Sequence, residues 1–217
     1  MPKHIPLKFE TSFDPTLSKL LLQSIRENKT AKTAANAALA LAALGGVLSI
    51  GILAPNALGG IAKLFDLTGV EQRKRYNYLW RGFHELRRTH AFEFRREENG
   101  YQVYRPTFLG MKRIKKLIFD ELVLAQPKRW DGQWRLVIFD IPKNLHQKRN
   151  ALRRKLKELG FLQCQKSVWI HPFPCIEEVE FLKNLLRIKP YVKIFLVSEM
   201  TDGKVLYNFR VLLKKTV

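Results

Sequence analysis

The chain has 217 residues, of which 46% are apolar and 27% are charged, so a packed core is available and wholesale disorder is excluded. Lys and Arg outnumber Asp and Glu by 39 to 19, and a net charge of +20 indicates a polyanionic partner, nucleic acid first and an anionic membrane second. Two cysteines exclude a disulfide framework and a four-cysteine zinc site, and indicate a reducing cytoplasm. The sequence contains no P-loop, no Gly-rich dinucleotide fingerprint and no G-x-S-x-G motif, which argues against most small-molecule enzymes.

The positive charge is concentrated in two segments, one in each half of the chain. Residues 73–116 hold 13 Lys and Arg against 4 Asp and Glu, and residues 143–157 hold 7 and none. A single segment of this kind is as often a solvated helix face as a binding surface. Two such segments on a small chain favour a phosphate-binding role.

The amino-terminal region combines a short extension with a long uncharged segment. Residues 1–33 are predicted to form a helical extension, and acidic residues before the first apolar run argue against a secretory signal. Residues 33–62 carry no charge, and this uncharged segment is long enough for a membrane span, which needs about 20 residues. Glycines at 45–46 and Pro-Asn at 55–56 divide this segment, and both flanks are basic. We therefore predict two or three short buried helices, with a membrane-inserted segment as the alternative.

An amphipathic helix is predicted over residues 71–88. Its apolar side chains recur every three or four residues from Tyr76 to Leu86, which defines one buried face. The opposite face is suited to DNA, because Arg recognises guanine edges, Asn recognises adenine, and Lys and Tyr bind phosphates. The residues expected to contact DNA from this helix are Arg73, Lys74, Asn77, Tyr78, Arg81 and Arg88.

A basic β-hairpin is predicted to follow this helix. Alternating segments flank Asn99-Gly100, a strong hairpin signal because both turn positions need positive φ. Arg95 and Arg96 lie near the hairpin tip and are expected to contact phosphates, and Thr107 is expected to cap the next helix. Short helices, an amphipathic helix and a hairpin in this order predict a winged helix-turn-helix over residues 34–125, with a generic α+β subdomain as the alternative.

The second half is predicted to be a ferredoxin-like domain over residues 134–217, after a linker at 126–133. The predicted elements are a strand at 134–140, a helix at 145–159 ended by Gly160, two strands or one bent strand at 161–165 and 167–171, a helix at 177–186 and a strand at 191–198. This β-α-β-β-α-β order is the split βαβ sandwich. Residues 205–213 are predicted as an extended segment that pairs with an edge of its own sheet or of a partner's sheet. The expected fold class is therefore α+β.

Three motifs in the second half resemble the PaaX family of bacterial transcriptional repressors. They are Trp130-Asp-Gly-Gln-Trp-Arg-Leu-Val-Ile-Phe-Asp-Ile-Pro142, the basic segment 148–161, and Ser167-Val-Trp-Ile170. The resemblance implies an amino-terminal winged helix, a ferredoxin-like domain similar to the small dimeric CRISPR-associated protein that partners the spacer integrase, and DNA-binding repression as a homodimer. PaaX repressors carry a further helical domain, and these 217 residues depart from the family in this respect, so the resemblance is not extended to an aryl-CoA effector site.

The same resemblance leaves two interpretations of Asp140. In the CRISPR-associated relatives, the acid that ends the first strand is a candidate ligand of Mg²⁺ in a nuclease, paired across the dimer. The enzyme alternative is therefore a metal-dependent nuclease or a spacer-acquisition accessory that uses Asp140, with Ser167 as a further candidate. In the other interpretation, Asp140 caps the turn at Pro142 through backbone N–H groups.

We expect a cytoplasmic homodimeric regulator, acting as a repressor, whose partner is double-stranded DNA. The absence of a second carboxylate near Asp140 in the sequence favours its structural role. We accordingly expect no catalytic residue, no metal and no cofactor, with Mg²⁺ required only in the nuclease alternative. The sequence does not identify a small-molecule effector.

Overall fold

The computed structural model describes residues 6–10, 15–27, 33–44, 47–48 and 72–214. The chain divides into two compact units, unit 1 at residues 1–122 and unit 2 at residues 123–217. Of the two or three short helices predicted within residues 33–62, one is present at Ala34–Ala43, whereas Val47–Leu48 is a strand. Residues 49–62 lie outside the described residues. Among the described residues, no helix has both the length and the apolar character needed to cross a membrane.

Unit 1 combines helices with a mixed sheet. Its elements are β1 (Leu7–Phe9), α1 (Pro15–Glu27), α2 (Ala34–Ala43), β2 (Val47–Leu48), α3 (Gln72–Arg88), β3 (Phe92–Glu98), β4 (Tyr101–Pro106) and α4 (Phe108–Glu121). The strands lie in the order β2-β1-β4-β3. β1 runs parallel to β4, whereas β2 and β3 run antiparallel to their neighbours.

The described residues of the helical extension predicted at 1–33 include a strand, β1, as well as helix α1. Leu7 and Phe9 are buried on either side of exposed Lys8, and this alternation makes residues 7–9 a strand of the sheet. Glu10 extends the contact, since its backbone N–H donates to the carbonyl oxygen of Tyr104 at 2.8 Å. The amino-terminal residues of the described chain are therefore part of the fold of unit 1.

The core of unit 1 is built by aromatic side chains that pack α3 onto the sheet. The ring of Phe83 in α3 lies 4.9 Å from Tyr104, 5.9 Å from Phe9 and 5.9 Å from Phe92, measured between ring centroids. Aromatic pairs at these separations stabilise a core beyond their buried area alone. This cluster fixes which side of α3 faces inward.

Unit 2 has the predicted β-α-β-β-α-β order. Its elements are β5 (Trp134–Phe139), α5 (His146–Glu158), β6 (Leu162–Gln165), β7 (Val168–His171), α6 (Ile176–Leu185), β8 (Val192–Val197) and α7 (Gly203–Lys214). The strands form an antiparallel sheet in the order β6-β7-β5-β8. As predicted, Gly160 follows the carboxyl end of α5, with a φ of 83°.

The extended segment predicted at residues 205–213 is wrong, because these residues form helix α7. Asp202 starts the helix, since its Oδ1 accepts hydrogen bonds from the backbone N–H groups of Lys204 at 2.8 Å and Val205 at 3.1 Å. Val205 and Phe209, one helical turn apart, then pack against Trp134 and Ile170 of the sheet. α7 thus covers part of one sheet face and supplies no edge strand.

Part of the predicted linker at residues 126–133 is integral to unit 2. The indole Nε1 of Trp130 donates to the carbonyl oxygen of Pro172 at 2.8 Å, and its ring packs against Trp134. Asp131 forms an ion pair with the buried guanidinium of Arg135, and that hydrogen bonding lowers the pKa of the Asp131 carboxyl. These contacts tie the segment before β5 to the sheet.

Candidate nucleic-acid interface

The outer face of α3 carries a line of basic side chains. Lys74, Arg81 and Arg88 are exposed and lie seven residues apart. Seven residues make about two helical turns, so the three cations share one side of the helix over about 21 Å. Asn77 is exposed on the same side, and Tyr78 is half-buried beside it.

The inner face of α3 determines this orientation. Tyr76, Leu79, Phe83 and Leu86 are all buried, which is the stripe that the sequence predicts. Burial raises the pKa of the Tyr76 hydroxyl to about 12, so this tyrosine stays neutral at physiological pH. Arg73 lies in the first turn of the helix.

Within the described residues, Arg81 and Arg88 of this face are weakly neutralised. Glu85 is the one acidic side chain of α3, and within the described residues Arg81 and Arg88 form no ion pair. Burial raises the pKa of Tyr78, and the positive charge of nearby Arg81 acts in the opposite direction. The face therefore presents positive charge together with hydroxyl and amide groups that can donate hydrogen bonds.

The hairpin after α3 turns at Asn99-Gly100, as predicted. Both residues have positive φ, 52° for Asn99 and 78° for Gly100. Its two strands change register between Phe94 and Arg96, which makes Arg95 the extra residue of a bulge. The bulge lies on the strand that carries both candidate phosphate contacts.

The guanidinium groups of the hairpin are already bound by carboxylates. Arg96 donates to Glu10 at 3.1 Å and to Glu98 at 2.9 Å, and these contacts raise the pKa of Arg96. Arg95 lies 3.9 Å from Glu93, which also pairs with Arg105. The hairpin surface is thus close to electrically balanced, unlike the outer face of α3.

The sequence-based prediction does not include His84, which lies beside this face, or Arg87, which flanks the buried stripe. His84 is exposed three residues after Arg81, and its ring meets Trp80 edge-on at 4.9 Å. The guanidinium of Arg87 lies 6.0 Å from the centre of the Tyr104 ring. The sequence does contain a signal for His84: it follows Arg81 by three residues, and residues three apart lie on the same face of a helix.

Asp140 and Ser167 come close together through the backbone of unit 2. The backbone N–H of Phe139 donates to the carbonyl oxygen of Ser167 at 3.1 Å, and the N–H of Asp140 donates to Tyr191 at 2.9 Å. The expected capping role of Asp140 is wrong for the described residues, since its exposed carboxylate accepts no hydrogen bond from the turn at Pro142. That turn is closed instead by the N–H of Leu145, which donates to the Pro142 carbonyl at 3.0 Å.

Acidic and metal-ligating side chains do not gather around Asp140. In the part of the chain that the structure describes, no three His, Cys, Asp or Glu side chains are grouped so that they could hold a metal ion. Cys175, directly before α6, is buried, which raises the pKa of its thiol to about 12 and keeps it protonated.

Residues 127–205 match the family model described as PaaX protein central Cas2-like domain. The match covers the whole antiparallel sheet of unit 2 and ends in the first turn of α7. A PaaX-type central domain is thus present in this chain. No curated protein matches the chain. Its Cas2-like domain thus follows, in the sequence, a unit whose α3 carries the basic face described above.

Proposed function

We propose that this protein is a sequence-specific DNA-binding transcriptional regulator that acts as a homodimeric repressor. The observation that carries the proposal is the basic face of α3, on which Arg81 and Arg88 form no ion pair within the described residues. The family match is consistent with regulation of transcription. A net charge of +20 adds long-range attraction to a polyanion.

The proposed DNA-binding domain is a winged helix over residues 34–125, in which α3 is the recognition helix and β3-β4 is the wing. The order α2, β2, α3, β3, β4 supports this assignment, as does the tight Asn99-Gly100 turn. In the proposal, the parallel strand β1 is an addition that joins β2 to the wing.

The proposed role of each side chain in DNA binding follows from its hydrogen-bonding groups and charge. Arg81 suits a bidentate contact to guanine and Asn77 suits adenine, because their donors and acceptors match those base edges. Lys74, Tyr78 and Arg88 suit phosphates, and Arg73 belongs to the same group by its place in the first turn. Arg95 and Arg96 make a smaller contribution, because carboxylates of the same unit already bind their guanidinium groups.

The proposed dimer uses the edge of unit 2 formed by β8. The sheet ends in β6 on one side and β8 on the other. β6 exposes polar residues, whereas β8 exposes Phe195 and Leu196 beside a groove of about 480 Å³ that is also lined by Ile176 of α6. An apolar edge strand is a template for pairing, and a two-fold axis would bring two β8 strands together antiparallel.

Binding titrations of Arg81→Ala test the recognition helix. A preferred duplex is first selected from a random-sequence library with the full chain, and affinities for that duplex and for a random duplex are then compared. Loss of a bidentate guanine contact should weaken binding to the preferred duplex by about 1–3 kcal/mol and relax the preference at one base position. A homodimer should select an inverted repeat with half-sites about one or two helical turns apart.

Arg210→Ala is the matched control, because Arg210 is an exposed arginine on a helix of unit 2. It should change neither affinity nor base preference. Equal affinities of wild type and Arg81→Ala for both duplexes would remove α3 as the recognition helix.

A further inference from the structure

A second basic surface lies in the Cas2-like domain, and the proposed function leaves it without a role. Between residues 141 and 176 the sequence has eight Lys and Arg side chains and a single acidic one, Glu158. Most of this charge belongs to α5 and to the turn before it. Repulsion among these positive charges opposes folding, and a bound anion would reduce it.

The exposed side chains of α5 lie on one side of the helix, whereas three of its other cations are half-buried and Lys155 is buried. Leu152 and Leu156 are buried against the domain core, and the side chains that point outward recur every three or four residues. The exposed positions on this side are Lys143 in the preceding turn, then His146, Gln147, Asn150, Arg154 and Lys157 on the helix. We refer to these six residues as the α5 face.

The structure leaves this face largely unneutralised. Glu158 lies 3.2 Å from the Nζ of Lys155, whose side chain is only 3% exposed, and 3.9 Å from the Nε of Arg154. The one nearby carboxylate is therefore shared with a buried cation. Within the described residues, Lys143 and Lys157 form no ion pair.

The spacing of positive charges within α5 destabilises the helix. Arg153 follows Arg149 by four residues and precedes Lys157 by four, and like charges at this spacing repel one another. The first turn of α5 contains no acidic residue. By contrast, α4 of unit 1 balances Lys116 with Asp120 at the same spacing. A bound polyanion would relieve the repulsion in α5.

A basic helix can serve nucleic acid or an anionic membrane, and the apolar residues of α5 decide between them. A helix that binds a membrane surface inserts an exposed apolar face between the headgroups. On α5 the apolar side chains Leu152 and Leu156 are buried in the domain, and the α5 face itself is entirely polar. This arrangement favours a phosphate backbone over a lipid surface.

We propose that the α5 face is a second DNA contact, which binds the phosphate backbone of duplex DNA without reading its sequence. Lysine and arginine bind phosphates as charges, and the electrostatic contribution of such contacts is independent of base sequence. The proposal concerns unit 2 alone and stands apart from the recognition role proposed for α3. It assigns the Cas2-like domain a share in DNA affinity in addition to its share in dimerisation.

The salt dependence of binding to a random duplex tests this proposal with the full chain. The triple variant Lys143→Gln, Arg154→Gln, Lys157→Gln removes three charges from the α5 face. Each lost phosphate contact should lower the slope of log K against log salt by about 0.9, so the slope should fall by about 2–3 per protomer. The control triple Lys189→Gln, Lys204→Gln, Lys214→Gln removes the same charge from other exposed positions of unit 2 and should keep the wild-type slope.

The outcomes separate this proposal from the proposed function. Equal slopes for the two triple variants would overturn the role of the α5 face. The role in DNA binding would also be overturned, in favour of a membrane contact, if the α5 triple variant lost binding to phosphatidylserine vesicles but kept the wild-type slope of log K against log salt on duplex DNA. If Arg81→Ala has no effect while the α5 triple variant lowers the slope, recognition by α3 fails and the α5 contact stands. Coincident urea unfolding curves for the two triple variants would confirm that both are folded.

Discussion

Gly82 of α3 lies directly against the backbone of Ala34 at the start of α2. A Cβ atom at position 82 would be 1.9 Å from the carbonyl oxygen of Ala34 and 2.9 Å from the backbone nitrogen of Ala35. The two helices can approach this closely because Gly82 has no side chain and meets α2 at two alanines, Ala34 and Ala35. The contact helps to fix the rotation of α3, and with it the outward direction of Arg81.

Gly82→Ala should therefore destabilise unit 1. The added methyl group meets main-chain atoms that cannot rotate away, so we expect a loss of about 3 kcal/mol, at the upper end of overpacking effects. Urea unfolding measures it. Gly203→Ala is the control, because a Cβ atom at position 203 has no neighbour within 4 Å, and it should leave stability within about 1 kcal/mol of wild type. Similar unfolding midpoints for the two variants would contradict the close contact.

The sequence predicts elements that depend on local signals and misses those that depend on distant ones. The apolar period of α3 and the Asn99-Gly100 turn are readable within a few residues, and both are present. Strand β1 was missed, because three residues show their pairing only beside β4, about 95 residues later in the chain. Helix α7 is an exception, because its signals are local: Asp202 caps its amino terminus, and the buried Val205 and Phe209 lie one helical turn apart.

In the candidate site, too, features that depend on neighbouring residues are predicted and those that depend on distant residues are not. The exposure of Lys74 and Arg81 follows from the buried stripe of their own helix and is predicted correctly. The pairing of Arg96 with Glu10 was not readable, since the two residues are 86 positions apart and meet only through the parallel pairing of β1 and β4. Charge counts along a sequence miss neutralisation of this kind.

Arg88→Ala and Arg96→Ala should differ in their effect on the salt dependence of DNA binding. Arg88 is exposed and forms no ion pair within the described residues, so its loss should lower the slope of log K against log salt by about 0.9 per protomer contact. Arg96 is held by Glu10 and Glu98, so its removal should leave the slope nearly unchanged. Titrations on a random duplex at several salt concentrations measure both slopes. An equal fall in the two slopes would show that the hairpin contacts phosphates as strongly as α3.

Phe195→Lys should convert the proposed dimer into a monomer. The exposed phenyl ring of β8 lies on the edge that we assign to the two-fold contact, and a lysine there would place like charges from two copies close together. Gln165→Lys places the same charge on the opposite edge strand, β6, and should leave the association state unchanged. Sedimentation velocity distinguishes the two variants. A Phe195→Lys protein that remains dimeric would move the interface away from β8.

Asp140→Asn should change the free energy of unfolding by less than about 0.5 kcal/mol, as is usual for an exposed side chain, since its carboxylate has no partner among the described residues. Asp131→Asn is the comparison, because it weakens the ion pair with buried Arg135 and should cost about 1–2 kcal/mol. Thermal unfolding measures both. A Mg²⁺-dependent nuclease activity of the wild type that is lost in a stably folded Asp140→Asn protein would instead support the enzyme alternative.

His171 should make unit 2 less stable in mild acid. The residue is buried, and its Nδ1 accepts a hydrogen bond from the backbone N–H of Phe173 at 3.1 Å, which requires the neutral ring. Burial, together with the positive charge of Arg135, lowers the pKa of His171 from 6.5 to about 4. Between these values the unfolded chain binds a proton that the folded chain does not, so stability falls as the pH falls.

The expected slope is up to about 1.4 kcal/mol per pH unit below pH 6.5, with a limit of about 3 kcal/mol near pH 4. Urea unfolding of unit 2 between pH 5 and pH 7 measures how steeply the free energy of unfolding depends on pH. This range is chosen because most carboxylates titrate below it. His171→Gln keeps a side-chain acceptor but removes the titrating ring, so its stability should depend less steeply on pH, whatever its absolute value. His146→Gln changes an exposed histidine of the same unit and should retain the wild-type slope. A slope that His171→Gln leaves intact would show that another group causes the acid sensitivity.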